Sequence, residues 1–505
     1  MWHAENVACR ECGTGRIVLR ENLHFRQGLY TEPYLVCEEC SNVTKVPFSR
    51  CTPSKAVTIN RQSVFAAKCI GGSLASLQMF CAMLNLPPPV SKASYVDHMK
   101  EVKTQAVAQA QYSMTAAREQ VRKYYNISDD DLADITVSCD GTWHRRGFSS
   151  LFGAVFIISH DTEKVLDYTV KSKHCASCSH WEARDHDSEE YREWKGTHKC
   201  DINSTGSACA MEPHGTLETF CRSSDYKIRY MNLISDGDTK AHGMILEEQP
   251  YGSEPDQQVK KLDCVGHVQK RLGSALRDLK QRYRGQKLSD GKTIGGAGRL
   301  TDALINSLQN YYGDVIRRNK GDIDGMMRGF QATLLHSNST DETPRHHLCP
   351  EGRDSWCKWQ AAKARGEEYH HKNPIPEPIV QLLKPIYARL GSRKLLEKCL
   401  DGYTQNANES LHSVVWKYCP KEVFLGRDGV ETACALAVST FNDGASSLSE
   451  VAKRFGVTPT PFSTSFLSCR DKQRQPVLIW QSLLNSPNRQ IKNLTKVSHH
   501  AVCIP

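Results

Sequence analysis

Three acidic residues, far apart in the sequence, have the types and positions that a divalent-cation site requires. Asp140 ends the apolar run ITVSCD and Asp236 ends MNLISD, whereas Glu409 lies in TQNANESLHSVVW, which is predicted to be helical. Carboxylates at strand ends and on a helix can converge, hold hard divalent cations and support phosphoryl transfer. Asp-Gly pairs are also common in turns, so residue types alone leave a turn role open for the two aspartates.

The region around the second acid contains two further candidates. Asp238 could replace Asp236 as the second ligand, although Asp236 is preferred because it follows the apolar strand directly. Downstream, Cys264 and His267 form a CxxH motif. This motif could bind zinc from one side, or its histidine could support the active site or the DNA end; a buried cysteine and a satisfied histidine are the alternative.

Two CxxC pairs near the start predict a zinc ribbon. Their four cysteines are Cys9, Cys12, Cys37 and Cys40. Thiolates two residues apart can grip one side of a tetrahedral ion, and the second pair closes the site. Probable strands lie between the pairs, which is typical of a ribbon. Four unrelated reduced cysteines are the alternative.

Two later groups of cysteines and histidines also predict zinc. The first is Cys175, Cys178, His198 and Cys200, in which the last two ligands are less certain because His180 and Cys209 lie nearby. The second is His346, His347, Cys349 and Cys357, within the stretch HHLCPEGRDSWC. His336 or His370 could complete this second group, and so could Cys264 and His267. Scattered, unrelated residues are the alternative.

The segment 260–299 is strongly basic and predicts a DNA-binding surface. We expect its helical part to contact phosphates through six residues: Lys270, Arg271, Arg277, Lys280, Arg282 and Arg284. Such contacts weaken steeply as the salt concentration rises. A solvated helix face is the alternative.

Composition indicates a soluble, intracellular protein. The chain has 505 residues, a formal net charge of +9, 39% hydrophobic residues and a mean hydropathy of −0.51. Its 21 cysteines are grouped with each other and with histidines, which favours zinc in a reducing compartment over disulfides. The first residues do not resemble a signal peptide, and the longest apolar stretch, residues 151–159, is too short to span a bilayer.

The order of predicted elements shows what must position these residues. Three strand candidates begin near residue 135, and a fourth delivers Asp236, as expected for an RNase H-like α/β sheet. We therefore predict a zinc ribbon (1–55), a helical region that could bind DNA (56–130), the first part of an RNase H-like core (131–250) with a zinc-binding insert at about 174–212, a mostly helical insertion (251–400), the last part of the core with Glu409 (401–460) and a tail without clear organisation (461–505).

The order Asp, Asp, CxxH, Glu resembles that of the Mutator-like DDE transposases. SCDGTWHRRGF looks like the family's first-aspartate motif, ISDGDTKAH like the second and TQNANESLHSVVW like the glutamate motif. With the ribbon, INRQSVFAAK and CPEGRDSWCKW, the resemblance spans roughly residues 5 to 445. Glu212 also matches a family position, which we interpret as active-site support.

The resemblance implies an enzyme that binds double-stranded DNA at the terminal inverted repeats of its element and at the target. It would use Mg²⁺ or Mn²⁺ at Asp140, Asp236 and Glu409 to hydrolyse a strand and then transfer the freed 3′-hydroxyl. A homo-oligomer in the nucleus, without membrane association, is expected. The alternatives are a transposase-derived DNA-binding protein without catalysis, and an RNase H-like nuclease without strand transfer.

Overall fold

A mixed sheet with helices on both faces forms the centre of the chain, and the predicted α/β class is confirmed at this level. The computed structural model describes residues 8–46, 57–128, 130–145, 149–182, 184–236 and 239–485.

A small antiparallel sheet begins the described chain. It contains β1 (Ile17–Glu21), β2 (Pro33–Cys37) and β3 (Val43–Lys45), in that spatial order. Residue Cys37, at the end of β2, pairs with Ile17 at the start of β1. The antiparallel pairing of β1 with β2 therefore brings the second CxxC pair close to the first.

Three helices follow and confirm the helical prediction for this region: α1 (Thr58–Cys69), α2 (Leu74–Met83) and α3 (Lys92–Tyr124). The side chain of Ser91 accepts a hydrogen bond from the backbone N–H of Ser94 and so caps the first turn of α3. Among the described residues, no single helix has the length and apolar composition to cross a bilayer, and α1 with α2 meets that criterion only as a pair bent by 110°.

Five strands form the central sheet, in the spatial order β6-β5-β4-β7-β8. They are β4 (Ala133–Trp143), β5 (Phe152–Ser159), β6 (Val165–Ser172), β7 (Ile228–Ser235) and β8 (Lys260–Asp263). Strand β5 is antiparallel to both β4 and β6, whereas β7 runs parallel to β4 and β8 parallel to β7. Between them lie α4 (Ala176–Trp181), α5 (Glu189–Thr197), α6 (Met211–Cys221) and α7 (Lys240–Glu248).

The remaining helices form an insertion and a C-terminal group. The insertion contains α8 (Val265–Arg282), α9 (Asp302–Arg318), α10 (Ile323–Ser337), α11 (Lys358–Arg365), α12 (Glu377–Leu390) and α13 (Arg393–Glu397). The last group is α14 (Asn406–Tyr418), α15 (Gly426–Asp443), α16 (Ser447–Arg454) and α17 (Pro461–Asn485). The expectation of a tail without clear organisation is wrong for α17.

The sheet separates two apolar cores because side chains alternate along each strand. Phe152 and Phe156 of β5 pack with α3, α14 and α15, whereas Val155 and Ile157 belong to the core that contains Phe220 of α6. The insertion has a third core of its own, built from α8, α9, α10, α12 and α13.

Candidate active site and metal clusters

Asp140 lies on β4, and Asp236 directly follows the neighbouring parallel strand β7, which ends at Ser235. Ser138 of β4 pairs with Ile234 of β7, and Asp140 and Asp236 each lie two residues further along the chain from this pair. Neighbouring strands are about 4.8 Å apart, which suits two carboxylates that share a cation site. The sequence predicts Asp140 at the end of its strand, but β4 continues to Trp143, so Asp140 lies inside the sheet.

Helix α14 is anchored along β4 on the face to which Asp140 points. The Ser138 hydroxyl donates to Oδ1 of Asn408, which is fully buried. Farther along, Trp416 Nε1 donates to Thr142 Oγ1 at 2.8 Å. Residues 138, 140 and 142 share one face of the strand, so the two bonds bracket Asp140 and fix the helix above it.

This anchoring brings Glu409 and an unpredicted residue, His412, to the same side. Glu409 directly follows Asn408, and its carboxylate lies 3.2 Å from Nζ of Lys270. Nδ1 of His412 lies 3.7 Å from Oδ2 of Asp140. Burial lowers the pKa of His412 to about 4, so its imidazole is neutral at pH 7. Its position three residues after Glu409, on the same helix face, is the signal that could have identified it.

The carboxyl group of Asp140 has an unusually high proton affinity. Burial raises its pKa to about 6, and repulsion from Asp236 and Glu409 adds to this effect, whereas His267 opposes it. The two other acids are thus near enough to act on Asp140 electrostatically. A buried carboxyl group beside two more carboxylates is an environment that a cation would stabilise.

Two basic side chains of α8, His267 and Arg271, lie close to the second acid, Asp236. Nδ1 of His267 lies 3.1 Å from Oδ1 of Asp236, and Arg271 is 3.9 Å from the same oxygen. The bond to Asp236 raises the pKa of His267. Cys264 is buried. Among the described residues, neither this motif nor the three acids form a group of three or more metal ligands within 4.8 Å of one another. The contact of His267 with Asp236 favours the active-site role for this histidine. Asp238 lies outside the described residues.

Glu212 lies on the opposite face of the sheet from Glu409. It is in the first turn of α6, and a Cβ atom on Gly141 would come within 3.0 Å of its Cδ. Gly141 follows Asp140, so its missing side chain points to the α6 side of β4. The absence of a side chain at Gly141 therefore makes room for the Glu212 carboxyl group.

The four N-terminal cysteines form one cluster, with ligand atoms all within 4.8 Å of one another. Sulfur–sulfur distances are 3.6 Å for Cys9 and Cys40 and 3.7 Å for Cys12 and Cys37. Gly15 allows this approach, because a Cβ atom there would lie 2.2 Å from Sγ of Cys37. Backbone N–H groups of Thr14 and Gly15 lower the pKa of Cys12 to about 6, which favours the thiolate. The cluster could hold zinc.

The predicted ligands of the insert also come together: Cys175, Cys178, His198 and Cys200. Nε2 of His198 lies 3.5 Å from Sγ of Cys175 and 3.2 Å from Sγ of Cys178. Its ring stacks on Trp194 of α5 at 4.6 Å. This Cys₃His cluster, which could also hold zinc, ties the start of α4 to the end of α5.

The third cluster contains one of the two adjacent histidines considered for it. Among the described residues it consists of His336, His346, Cys349 and Cys357. His346 is buried and belongs to the cluster, whereas His347 is exposed and lies outside it. Adjacent residues in an irregular segment point in different directions, and no periodicity could distinguish the two histidines. Of the completing residues considered, His336 is present and His370 is not.

The six predicted DNA-contacting residues lie on two faces of the α8 region. Lys270, Arg271 and Arg282 line a groove of about 1070 Å³ that also contains Asp236 and His267. The other three, Arg277, Lys280 and Arg284, line a separate cavity. In that second set, Arg277 bonds to Asn306 and Lys280 pairs with Asp302, both on α9.

Helix α12 forms a second wall of the groove, which the sequence does not predict. Helix α12 contributes Gln381, Pro385 and Arg389, and Tyr283 lies just beyond the end of α8. The groove therefore runs from the second acid between two helices of the insertion and combines guanidinium groups with apolar and aromatic surface.

The sequence model of a family described as Mutator-like transposase matches residues 2–357 of this chain. This span exceeds two thirds of the 505 residues and ends before Glu409. No curated protein matches the chain.

Proposed function

This chain belongs to the Mutator-like transposase family, and from its site geometry we propose that it is a DDE transposase that cuts DNA and transfers the cut strand. Transposases act on DNA, which agrees with the net positive charge of +9. The observation that carries the proposal is the anchoring of α14 on β4, which holds Glu409 on the same face as Asp140.

The three carboxylates suit Mg²⁺ or Mn²⁺, because these hard cations prefer oxygen ligands. Asp140 and Asp236 would be ligands, and Glu409 would be a ligand or would orient the attacking water. The raised pKa of Asp140 supports this assignment, since burial, and to a smaller extent the two other acids, disfavour its charged form, which a bound cation would stabilise. When bound, the cations activate the attacking hydroxyl and stabilise the leaving oxygen.

The side chains around the acids would keep them in position and receive the substrate. The imidazole of His412 is mostly buried, neutral at pH 7 and close to Asp140. It can therefore orient the Asp140 carboxylate without adding a positive charge that would compete with a bound metal ion. Lys270 and Arg271 contact Glu409 and Asp236, and both also line the groove. From there they can bind phosphate oxygens of a DNA strand that reaches the acids.

We propose that this strand lies in the groove between α8 and α12. Arg282 and Arg389 can bind phosphates, while Tyr283 and Pro385 offer apolar surface for sugars or bases. The substrates would be the terminal inverted repeats and the target duplex, and two copies of the chain would hold the two element ends. We place this activity in the nucleus, where chromosomal DNA is found.

The order of strands supports an RNase H-like core. Three antiparallel strands, β6, β5 and β4, are followed by the parallel strands β7 and β8. The acids lie on the first of these strands in sequence, after the fourth, and on a helix that follows the insertion. We further propose that the ribbon and the Cys₃His cluster each bind one Zn²⁺, because four protein ligands make a closed structural site.

The test is cleavage of a DNA library with Mg²⁺ by the unmodified protein, by Asp140→Asn and by Asp134→Asn. Asp134 is on the same strand but pairs with Arg229 at the other end, so it is a matched control. We expect cleavage and joined products from the unmodified protein and from Asp134→Asn only. Cleavage without joining would favour a nuclease, and binding without cleavage would favour a non-catalytic DNA-binding protein.

A further inference from the structure

The third cluster lies in the helical insertion, away from the sheet that carries the acids. His336 is at the end of α10, His346 and Cys349 are in the connection after it, and Cys357 caps α11. Three of the four are buried, with exposed fractions of 2% for His346, 5% for Cys349 and 0% for Cys357. Two thiols and two imidazoles thus converge where water is nearly excluded.

The distances within the cluster fit a tetrahedral ion. Nδ1 atoms of His336 and His346 are 3.2 Å apart, and Sγ of Cys357 is 3.4 Å from Nδ1 of His346. Sγ of Cys349 lies 3.9 Å and 3.8 Å from the two Nδ1 atoms. A zinc tetrahedron with Zn–N of about 2.0 Å and Zn–S of about 2.3 Å has N···N edges of about 3.3 Å and N···S edges of about 3.6 Å.

Behind this cluster, the other nitrogen of His346 begins a chain of hydrogen bonds. Its Nε2 lies 2.7 Å from Nε2 of His371, and Nδ1 of His371 lies 2.5 Å from Oδ1 of Asp341. The backbone N–H of His371 donates to the same carboxylate oxygen at 2.9 Å. The His346 ring also stacks on Trp359, with centroids 4.8 Å apart. The ring is therefore held from both sides.

We propose that the four residues of this cluster bind Zn²⁺ and that Asp341, acting through His371, strengthens the bond from His346. A metal at Nδ1 of His346 leaves the proton on Nε2, which then donates to Nε2 of His371. His371 in turn carries its proton on Nδ1 and donates it to Asp341. The Ser339 hydroxyl oxygen, 2.9 Å from Nε2 of His346, can accept from the same N–H. The arrangement is that of a carboxylate–histidine–zinc relay with one histidine added.

The surrounding segment has a small apolar core. Among the described residues, its buried members are Ala332 and the two cysteines of the cluster, with Leu348, Trp356 and Trp359 packed at its edge. Small cores of this kind need a metal or disulfides for stability. Thiolate and imidazole ligands favour zinc over the hard cations expected at the carboxylates, so the two kinds of site would load independently.

The test uses the full-length, reduced protein and needs no DNA. We expect three equivalents of zinc in the purified protein and two in Cys357→Ser. In competition with a chromogenic chelator, His371→Ala should release one zinc with an affinity 10- to 100-fold lower than in the unmodified protein, because loss of an outer hydrogen-bond partner has about this effect.

His370→Ala is the matched control. His370 also contacts Asp341, at 3.3 Å, but its side chain is 75% exposed and is outside the cluster. Its chelator curve should equal that of the unmodified protein. Equal zinc contents in the unmodified protein and in Cys357→Ser would overturn the metal site, whatever the occupancy of the other two clusters. Identical curves for His371→Ala and His370→Ala would overturn the role of Asp341 and His371.

Discussion

At the scale of single residues, Asp140 combines a functional position with a cost in stability. Its folded pKa of about 6 exceeds the ordinary value of 3.8 because burial, and then the neighbouring acids, disfavour the charged form. The folded protein therefore holds the proton more tightly than the unfolded chain. The associated stability is full below pH 3.8 and is lost as the pH rises through about 6.

Asp140→Asn should consequently raise the unfolding temperature at pH 7 in buffer without Mg²⁺, by an amount equivalent to about 1–3 kcal/mol. The gain should shrink as the pH falls towards 4, since the unmodified carboxyl group is then protonated. Thermal unfolding at several pH values checks this, with Asp134→Asn as the control that gains nothing. A gain that does not change with pH would contradict the explanation by burial and charge repulsion.

Gly141 provides a second prediction at this scale. A Cβ atom there would lie 3.0 Å from the Glu212 carboxyl carbon, so Gly141→Ala should destabilise the protein by about 1–3 kcal/mol through overpacking. Glu212→Ala removes the obstructing atoms. In a double-mutant cycle, the combined variant should therefore be more stable than the sum of the single changes predicts. Strict additivity would show that the two residues do not interfere.

At the scale of elements, the division of basic residues on α8 leads to a prediction about DNA binding. The double variant Arg271→Glu and Arg282→Glu should weaken binding and lower the salt dependence by roughly two units, because two groove contacts are lost. Arg277→Glu with Arg284→Glu makes the same charge change outside the groove. Its affinity should stay closer to that of the unmodified protein in a filter-binding or anisotropy titration. Equal losses of affinity in the two double variants would show that DNA binding depends on overall charge rather than on the groove.

The same helix illustrates what sequence patterns can and cannot predict. At about 100° per residue, Arg271 and Arg282 are about 20° apart around a helix, whereas Arg277 points elsewhere. The sequence pattern therefore predicts that α8 has two basic faces. It does not predict strand β8, because the sequence KKLD is charged and only the parallel pairing with β7 makes it a strand. Strands β4 to β7 could be predicted because their apolar runs reflect burial in the sheet.

The site could be predicted in part for the same reasons. Asp140, Asp236 and Glu409 adjoin regular elements, so pattern and family order together make them candidates, and their catalytic role stays a prediction. The sequence pattern does not distinguish His412 from other helical residues. Whether His346 or His347 joins the third cluster depends on the path of an irregular segment. Side-chain directions in such segments are set by tertiary contacts, here the stacking on Trp359 and the bond to His371.

At the scale of the whole molecule, the matched span of 2–357 does not contain all of the core. Helix α15 packs against α3 and the sheet through Val430, Ala433 and Leu436. A chain that ends before Gly426 should therefore expose one face of β5 and be insoluble, whereas a chain that ends after Asn485 should stay soluble. Expression of the two truncated chains with measurement of the soluble fraction checks this. A soluble, cooperatively unfolding short chain would show that α15 is dispensable.

The pairing of α3 with α15 also has a consequence for the protein during its synthesis. Strands β5 and β6 leave the ribosome long before α15, from which they are separated by more than 250 residues. At about 5–20 residues per second, the part of their apolar face that α15 covers stays exposed for roughly 10 to 60 s, while α3 is already present. The helical insertion has a core of its own and can fold during this interval. The nascent sheet, in contrast, keeps an apolar surface exposed until α15 has been made.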